Sequence, residues 1–222
     1  MLRSCIIVAG GNGSRMGTER PKQFLQISGI PVLMHTIRNL YDFDPSIQLM
    51  VVLPADEIGH WKELCHQHHF DLPHLLIAGG DTRFQSVKNG LSLVGNSELI
   101  AIHDGVRPLV THETLNRCFQ GAEETGTAIP VLPANESVRE GSMNSSVPVD
   151  RSHYFMVQTP QVFKASLIRE SYQQPWIPEF TDDASVVEHA GIAVHLVMGN
   201  RENIKITYPE DLRIAELFLK SR

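Results

Sequence analysis

The residues best placed to do chemistry lie at positions 8–23, where the chain reads V-A-G-G-N-G-S-R-M-G-T-E-R-P-K-Q. Gly10, Gly11, Gly13 and Gly17 share this stretch with three cations, Arg15, Arg20 and Lys22, and one carboxylate, Glu19. Glycine backbone can take positive φ and approach a ligand closely. Successive N–H groups in such a loop make a concave anion site, and arginine and lysine add fixed charge for phosphate. The chemistry implied is the wrapping of a nucleoside triphosphate. Two better-known glycine motifs are excluded by spacing. A dinucleotide fingerprint begun at Gly11 and Gly13 would need glycine where Met16 stands, and no G-K-[ST] string of a Walker loop occurs. A plain strand-to-helix turn also favours glycine, but it has no use for Arg15 and Lys22.

Such a loop must be held by regular elements on either side. Apolar runs at residues 5–8, 49–53, 75–77 and 99–102 read as strands. None alternates cleanly, as expected of parallel strands covered on both faces. Residues 31–40, 56–69, 84–93 and 111–124 carry helical spacing between them. Pro31 suits a first helical turn. Thr111 reads as an N-cap with Glu113 in the first turn, short of a capping box because Thr114 holds the third position. The alternation predicts an α/β fold, a doubly wound, mostly parallel, Rossmann-like sheet. Ligands bind beyond the carboxyl ends of such strands, where the glycine loop and the His103-Asp104 turn both fall.

Residues 133–157 break this rhythm. Gly141, Ser142, Asn144, Ser145 and Ser146 cluster between S-V-R at 137–139 and V-P-V at 147–149, which reads as a hairpin projecting from a single domain of residues 1–222. A bare surface loop of that length would be unusual. Farther on, residues 163–172 read as a helix, 194–197 as a strand and 209–219 as a closing helix.

Composition narrows the class. The length suits one compact domain, and 42% hydrophobic residues supply a sizeable core. A net charge of −6 argues against a general nucleic-acid surface, so an anionic ligand needs a local cationic cluster. Cys5, Cys65 and Cys118 offer neither a disulfide framework nor metal spacing, and Cys5 reads as a core residue. No apolar run approaches a membrane span and no signal segment opens the chain, so a cytoplasmic enzyme is expected. Glu63, His66 and His69 could share a helix face, but that polar segment reads as a solvated surface, and Trp61 and Trp176 read as packing or surface residues.

The glycine loop followed by R-M and P-K-Q resembles the sugar-nucleotidyltransferases, and most closely their cytidylyltransferase branch. Five further motifs follow in the family's order: G-G-D-T-R-F-Q-S-V at 79–87, H-D-G-V-R-P at 103–108, T-P-Q at 159–161, T-D-D-A-S at 181–185, and N-I-K-I-T with P-E-D-L over 203–212. Within the branch, T-D-D-A-S and N-I-K-I-T are similar to the enzymes that act on 2-C-methyl-D-erythritol 4-phosphate in non-mevalonate isoprenoid synthesis. The departures A-G-G at 9–11 and G-V at 105–106 lean toward a sister group acting on ribitol 5-phosphate. A catalytically dead nucleotide-binding module is the remote alternative, but it should have lost a charge among Arg15, Lys22, Asp104 and Lys205, and all four are present.

The resemblance implies that a phosphate oxygen of a sugar phosphate attacks the α-phosphorus of CTP and releases pyrophosphate. A phosphate monoester is already mostly dianionic at neutral pH, its second pKa being ~6. No general base is needed, and the obstacle is repulsion between two polyanions. By resemblance Arg15, Lys22 and Lys205 supply the catalytic charge, and Asp104 holds Mg²⁺. Ala9, Gly10, Gly11 and Gly13 lie under the nucleotide, Gly80, Asp81 and Ser86 surround the base and ribose, and Arg83 braces that loop. Arg107, Thr181 and Thr159 meet the sugar phosphate with Ser137 and Arg151 from the arm, which in the family exchanges between the subunits of a homodimer. Asp182 and Asp183 are expected to cap a helix and orient Thr181, while Asp104 as a turn cap and Arg107 as an ion-pair partner stay open as plainer readings.

Overall fold

The structure is a computed structural model that describes residues 1–11 and 21–221. It opens with β1 (Arg3–Val8), then a small ribbon of β2 (Gln26–Ile27) and β3 (Ile30–Pro31). Three βα units follow: α1 (Val32–Phe43) to β4 (Gln48–Leu53), α2 (Glu57–Gln67) to β5 (Leu75–Ala78), and α3 (Arg83–Leu93) to β6 (Leu99–Asp104). Then come α4 (His112–Thr125) and β7 (Thr127–Pro133), a hairpin of β8 (Arg139–Ser142) and β9 (Ser145–Pro148), and the short strands β10 (Phe155–Val157) and β11 (Gln161–Lys164). The chain closes with α5 (Ala165–Ser171), α6 (Asp183–His189), β12 (Leu196–Met198) and α7 (Pro209–Lys220).

The main sheet runs β10-β7-β11-β6-β1-β4-β5, with β12 along the other edge of β7. β1 pairs in parallel with both β4 and β6, while β11 runs antiparallel to β6 and β7. The chain winds outward from β1 through β4 to β5, then returns to β1's other side as β6. The β1/β6 boundary is therefore the topological switch point, where open α/β sheets bind ligands. In register there, Val8 lies opposite Asp104.

Both sheet faces are covered, which explains the missing alternation. Cys5, Ile7, Leu49, Val51 and Leu99 pack on one face with Leu33 and Ile37 of α1, Trp61 of α2 and Phe119 of α4. Ile6, Met50, Val52, Ile100 and Ile102 pack on the other with Phe84 and Val87 of α3, Ile168 of α5 and Val186 of α6. Thr111 caps α4, its hydroxyl accepting from Thr114 N at 3.2 Å.

Two expectations shift, and one strand, β7, was not foreseen. The segment read as a helix at residues 163–172 starts as β11, because Val162 and Phe163 fill the gap between β6 and β7, and α5 begins only at Ala165. Pro31 ends β3 and precedes α1 rather than starting its first turn. β7 carries Pro130 and Pro133, which break the strand pattern in the sequence, yet it pairs with three neighbours. The hairpin β8–β9 pairs only with itself, and all its strand residues are exposed.

Candidate active site

Several chain segments meet at the carboxyl ends of the strands. Ala9 follows β1; its N–H donates to Val52 O at 2.9 Å, and its carbonyl accepts from the buried Gln23 Nε2 at 2.7 Å. Those two bonds fix how the glycine loop leaves the sheet. Lys22 is buried, its Cε 3.7 Å from where a side chain on Gly11 would begin. After β5, Gly79 N–H donates to Leu53 O at 2.7 Å and Gly80 N–H to Ser86 Oγ at 3.1 Å. A side chain on Gly80 would overlap Gln85 Cγ and Cβ, so glycine lets this segment lie close against the first turn of α3. Together Ala9, Gly10, Gly11, Lys22, Gly80, Asp81 and Ser86 line a cavity of about 230 Å³.

A second cavity, about 280 Å³, adjoins it and is lined by Arg107, Val157, Gln158, Thr159, Gln161, Thr181 and Asp182. Arg83, Asp104 and Lys205 line both. Asp104 is the last residue of β6, and its Oδ2 accepts from Arg107 Nε at 3.2 Å and Lys205 Nζ at 3.0 Å. Burial pushes its carboxyl upward, but Lys205, Arg83 and Arg107 outweigh that and hold it well below the usual carboxylate range.

The remaining charges are braced from below. Arg83 meets Asp183 through two hydrogen bonds, at 2.9 and 2.5 Å, and Tyr172 Oη donates to the same carboxylate at 2.6 Å. Burial opposes the Arg83 charge, yet Asp183 keeps its pKa above the ordinary value, so the guanidinium stays ionised. Asp182 caps α6 in a capping box with Ser185, and Gln161 ties that cap to β11 through Asp182 Oδ2 at 2.7 Å and Ala184 N at 2.8 Å.

The positions singled out from the sequence divide three ways. Ala9, Gly10, Gly11, Lys22, Gly80, Asp81, Arg83 and Ser86 gather in the first cavity, and Arg107, Thr159 and Thr181 in the second, with Asp104 and Lys205 between. Ser137 and Arg151 are exposed on the arm and line neither cavity of their own chain. Gly13 and Arg15 lie outside the described residues. Arg83 braces more than its own loop, since it ties α3 to α6. Gln23, Gln158, Gln161 and Tyr172 were not singled out. Gln23 and Gln161 stand inside quoted motifs, P-K-Q and T-P-Q, and that position was their one signal. Among the described residues no group of three or more histidine, cysteine or carboxylate side chains could hold a metal alone.

Two anion-sized pockets that share one wall of opposite charges are what transfer between two polyanions requires, and this arrangement places the protein among the nucleotidyltransferases. The chain belongs to the 2-C-methyl-D-erythritol 4-phosphate cytidylyltransferase (IspD) family, whose model matches residues 4–221. It is 52% identical over 219 residues to the 2-C-methyl-D-erythritol 4-phosphate cytidylyltransferase of Bacteroides fragilis, covering 99% of this chain and 100% of that one. Among solved structures it is similar to the enzyme of that name from Thermus thermophilus, with a TM-score of 0.81, 29% identity, and 99% and 100% of the two chains covered. It is also similar to the 4-diphosphocytidyl-2C-methyl-D-erythritol synthase of Anaerococcus prevotii, with a TM-score of 0.82, 26% identity, and 99% and 96% covered. The family match covers A-G-G at 9–11 and G-V at 105–106, so those departures fall within the methylerythritol branch.

Proposed function

We infer that this protein transfers the cytidylyl group of CTP to 2-C-methyl-D-erythritol 4-phosphate, giving 4-diphosphocytidyl-2-C-methyl-D-erythritol and pyrophosphate. The observation that carries the reading is the shared wall of Arg83, Asp104 and Lys205 between the glycine-floored cavity and the second cavity. CTP occupies the first and the sugar phosphate the second, so the attacking oxygen and the α-phosphorus meet at that wall. As the new phosphorus–oxygen bond forms, the α–β bond breaks and pyrophosphate leaves with its electrons. Lys22 and Lys205 stabilise the charge that builds up, with Arg15 from the same loop as Lys22. His103 is no base for this step, because both of its ring nitrogens are already bonded. Pyrophosphate release should be measured with CTP against a panel of phosphates. Methylerythritol phosphate should be the fast acceptor, ribitol 5-phosphate a poor one and UTP a poor donor; comparable rates for the two acceptors would overturn the substrate assignment.

Mg²⁺ fits this site. The buried carboxylate of Asp104, with no cage of metal-ligating side chains around it among the described residues, suits a hard ion that takes its other ligands from substrate phosphates and water. Asp104 is the residue that would hold it, and bound Mg²⁺ would neutralise phosphate charge. EDTA should abolish turnover, and Asp104→Asn should raise the Mg²⁺ concentration needed for half-maximal rate; an unchanged metal titration would remove Asp104 from this role.

The arm is proposed to join two chains. Its hairpin is fully exposed, and Phe155, Met156 and Val157 on the adjoining β10 are 45–64% exposed, an apolar strip that a second copy under two-fold symmetry would cover. Ser137 and Arg151 would then serve the sugar-phosphate cavity of the neighbouring subunit. Deleting residues 140–146 should shift the sedimentation of the protein toward monomer; an intact dimer after deletion would place the interface elsewhere.

A further inference from the structure

His103 stands beside Asp104, buried at the end of β6, and has no part in the chemistry above. Its Nε2 lies 3.0 Å from Arg107 O, which can only accept, so Nε2 carries the proton. Nδ1 is then an acceptor, and it lies 2.9 Å from Thr159 Oγ1. The threonine hydroxyl donates its proton to that nitrogen and accepts the Asp104 N–H at 3.0 Å. Arg107 Nε returns to Asp104 Oδ2 at 3.2 Å. These contacts form a closed ring: Asp104 N–H to Thr159, Thr159 to His103, His103 to the Arg107 carbonyl, and the Arg107 side chain back to Asp104.

We propose that His103 is a positioning residue for cytidylyl transfer, holding Asp104 and Arg107 in place through Thr159 so that the acceptor phosphate is presented to the α-phosphorus. The ring fixes backbone as well as side chain. Thr159 holds the amide of Asp104, and His103 holds the carbonyl of Arg107, so the turn between them cannot rotate without breaking a bond. Arg107 Nη1 also donates to Asn203 O at 2.8 Å, and Asn203 Nδ2 donates to Thr159 O at 2.8 Å, which ties the ring to the segment that carries Lys205. Only a side chain with a donor at one end and an acceptor at the other can bridge Thr159 and Arg107. Neutral histidine meets that need, glutamine can meet it, and leucine cannot. Most of the nucleotide cavity is built from other segments, after β1 and β5, and the ring's turn reaches it only at Asp104 and Val106, whereas Arg107 and Thr159 line the second cavity, so the sugar phosphate should feel the loss of the ring more than CTP does.

The proposal rests on the assignment of Asp104 and Arg107 to the transfer site, so the test compares His103→Leu, His103→Gln and Asp104→Asn in full-length protein. On folded enzyme, His103→Leu should lower kcat about ten- to a hundredfold, the scale of a catalytic group misplaced by an ångström or so. It should raise KM for the sugar phosphate by a larger factor than KM for CTP, while His103→Gln recovers most of the loss. In a double-mutant cycle, adding Thr159→Val to His103→Leu should cost little more than either change alone, because both open the same ring. Should His103→Leu not fold, His103→Asn, too short to span both partners, takes its place. Asp104→Asn crippled with His103→Leu unimpaired, glutamine no better than leucine, or additive losses in the cycle would each overturn the ring. Full activity of Asp104→Asn would instead overturn the site assignment and the proposal with it.

Discussion

Lys22 is almost wholly buried and lines the first cavity, so its position is set by packing. Under the proposed reaction its charge is in place before the nucleotide arrives. Lysine in such a place contributes to the transition state without first having to be ordered. Lys22→Ala should therefore reduce kcat by about a hundredfold or more, with only a small shift in thermal midpoint. Near-normal turnover would show that this loop does not carry the reaction. Asp104 is the complementary case. A carboxylate placed among Lys205, Arg83 and Arg107 stays ionised despite burial, which offsets their mutual repulsion and would give a hard ion one fixed ligand.

At the level of elements, the site is a set of strand ends and helix starts fastened to one another. β1 and β6 bring Val8 and Asp104 side by side by parallel register alone. α3 and α6 are joined by the Arg83–Asp183 pair, with Tyr172 of the residue run after α5 completing the carboxylate's bonds and stacking on Phe84 at 4.6 Å. Asp183 is fully buried, so Asp183→Ala would leave a mostly enclosed guanidinium and a buried hydroxyl without their acceptor. A loss of roughly 3 kcal/mol is expected, the low end for breaking a buried pair because Arg83 keeps some solvent contact. Urea unfolding of Asp183→Ala and of the double variant Arg83→Met/Asp183→Leu checks this. The double variant should recover much of the stability but not the activity, since Arg83 also walls both cavities. Equal destabilisation of the two would mean that packing rather than unpaired charge sets the loss.

For the whole molecule, one buried and two half-buried histidines tie stability to pH. His35, His74 and His103 are held below the ordinary value of 6.5, each chiefly by burial, and His103 falls to about 4. His74 also accepts the Trp61 indole N–H at 3.0 Å, which requires the neutral ring. The unfolded chain takes up protons near 6.5 while the folded chain resists, so the stability these groups contribute is complete above about pH 6.5 and declines as pH falls. For His103 the decline runs to about pH 4. Below that, Asp104, still ionised when folded, carries the loss further in the same direction. Urea midpoints should hold between about pH 8 and about pH 6.5 and fall from there to about pH 4.5, and His74→Phe should flatten part of the slope. A flat profile would mean that these rings are charged in the native protein.

What could be read before any coordinates were known follows from local chemistry. Apolar runs bounded by polar turns set β1, β4, β5 and β6, and the glycine-and-cation loop pointed to a phosphate ligand because phosphate binding needs those residue types close together in the chain. The six motifs placed Asp104, Arg107, Thr181 and Lys205 in the site, though 101 residues separate Asp104 from Lys205. Tertiary structure alone decided which partners they take. β11 looked helical because Val162 and Phe163 suit a helix as well as a strand, and only the space between β6 and β7 selects the strand. Asp183 looked like a helix cap, and it became Arg83's counter-ion because α6 docks against α3 across the sheet. Thr159 looked like a substrate contact, yet its hydroxyl is taken up by Asp104 and His103, because the β10–β11 return brings it beneath the end of β6. Sequence carries the inventory of charges and the periods of the elements. The pairing of charges depends on distances that exist only once the sheet has closed on both of its faces.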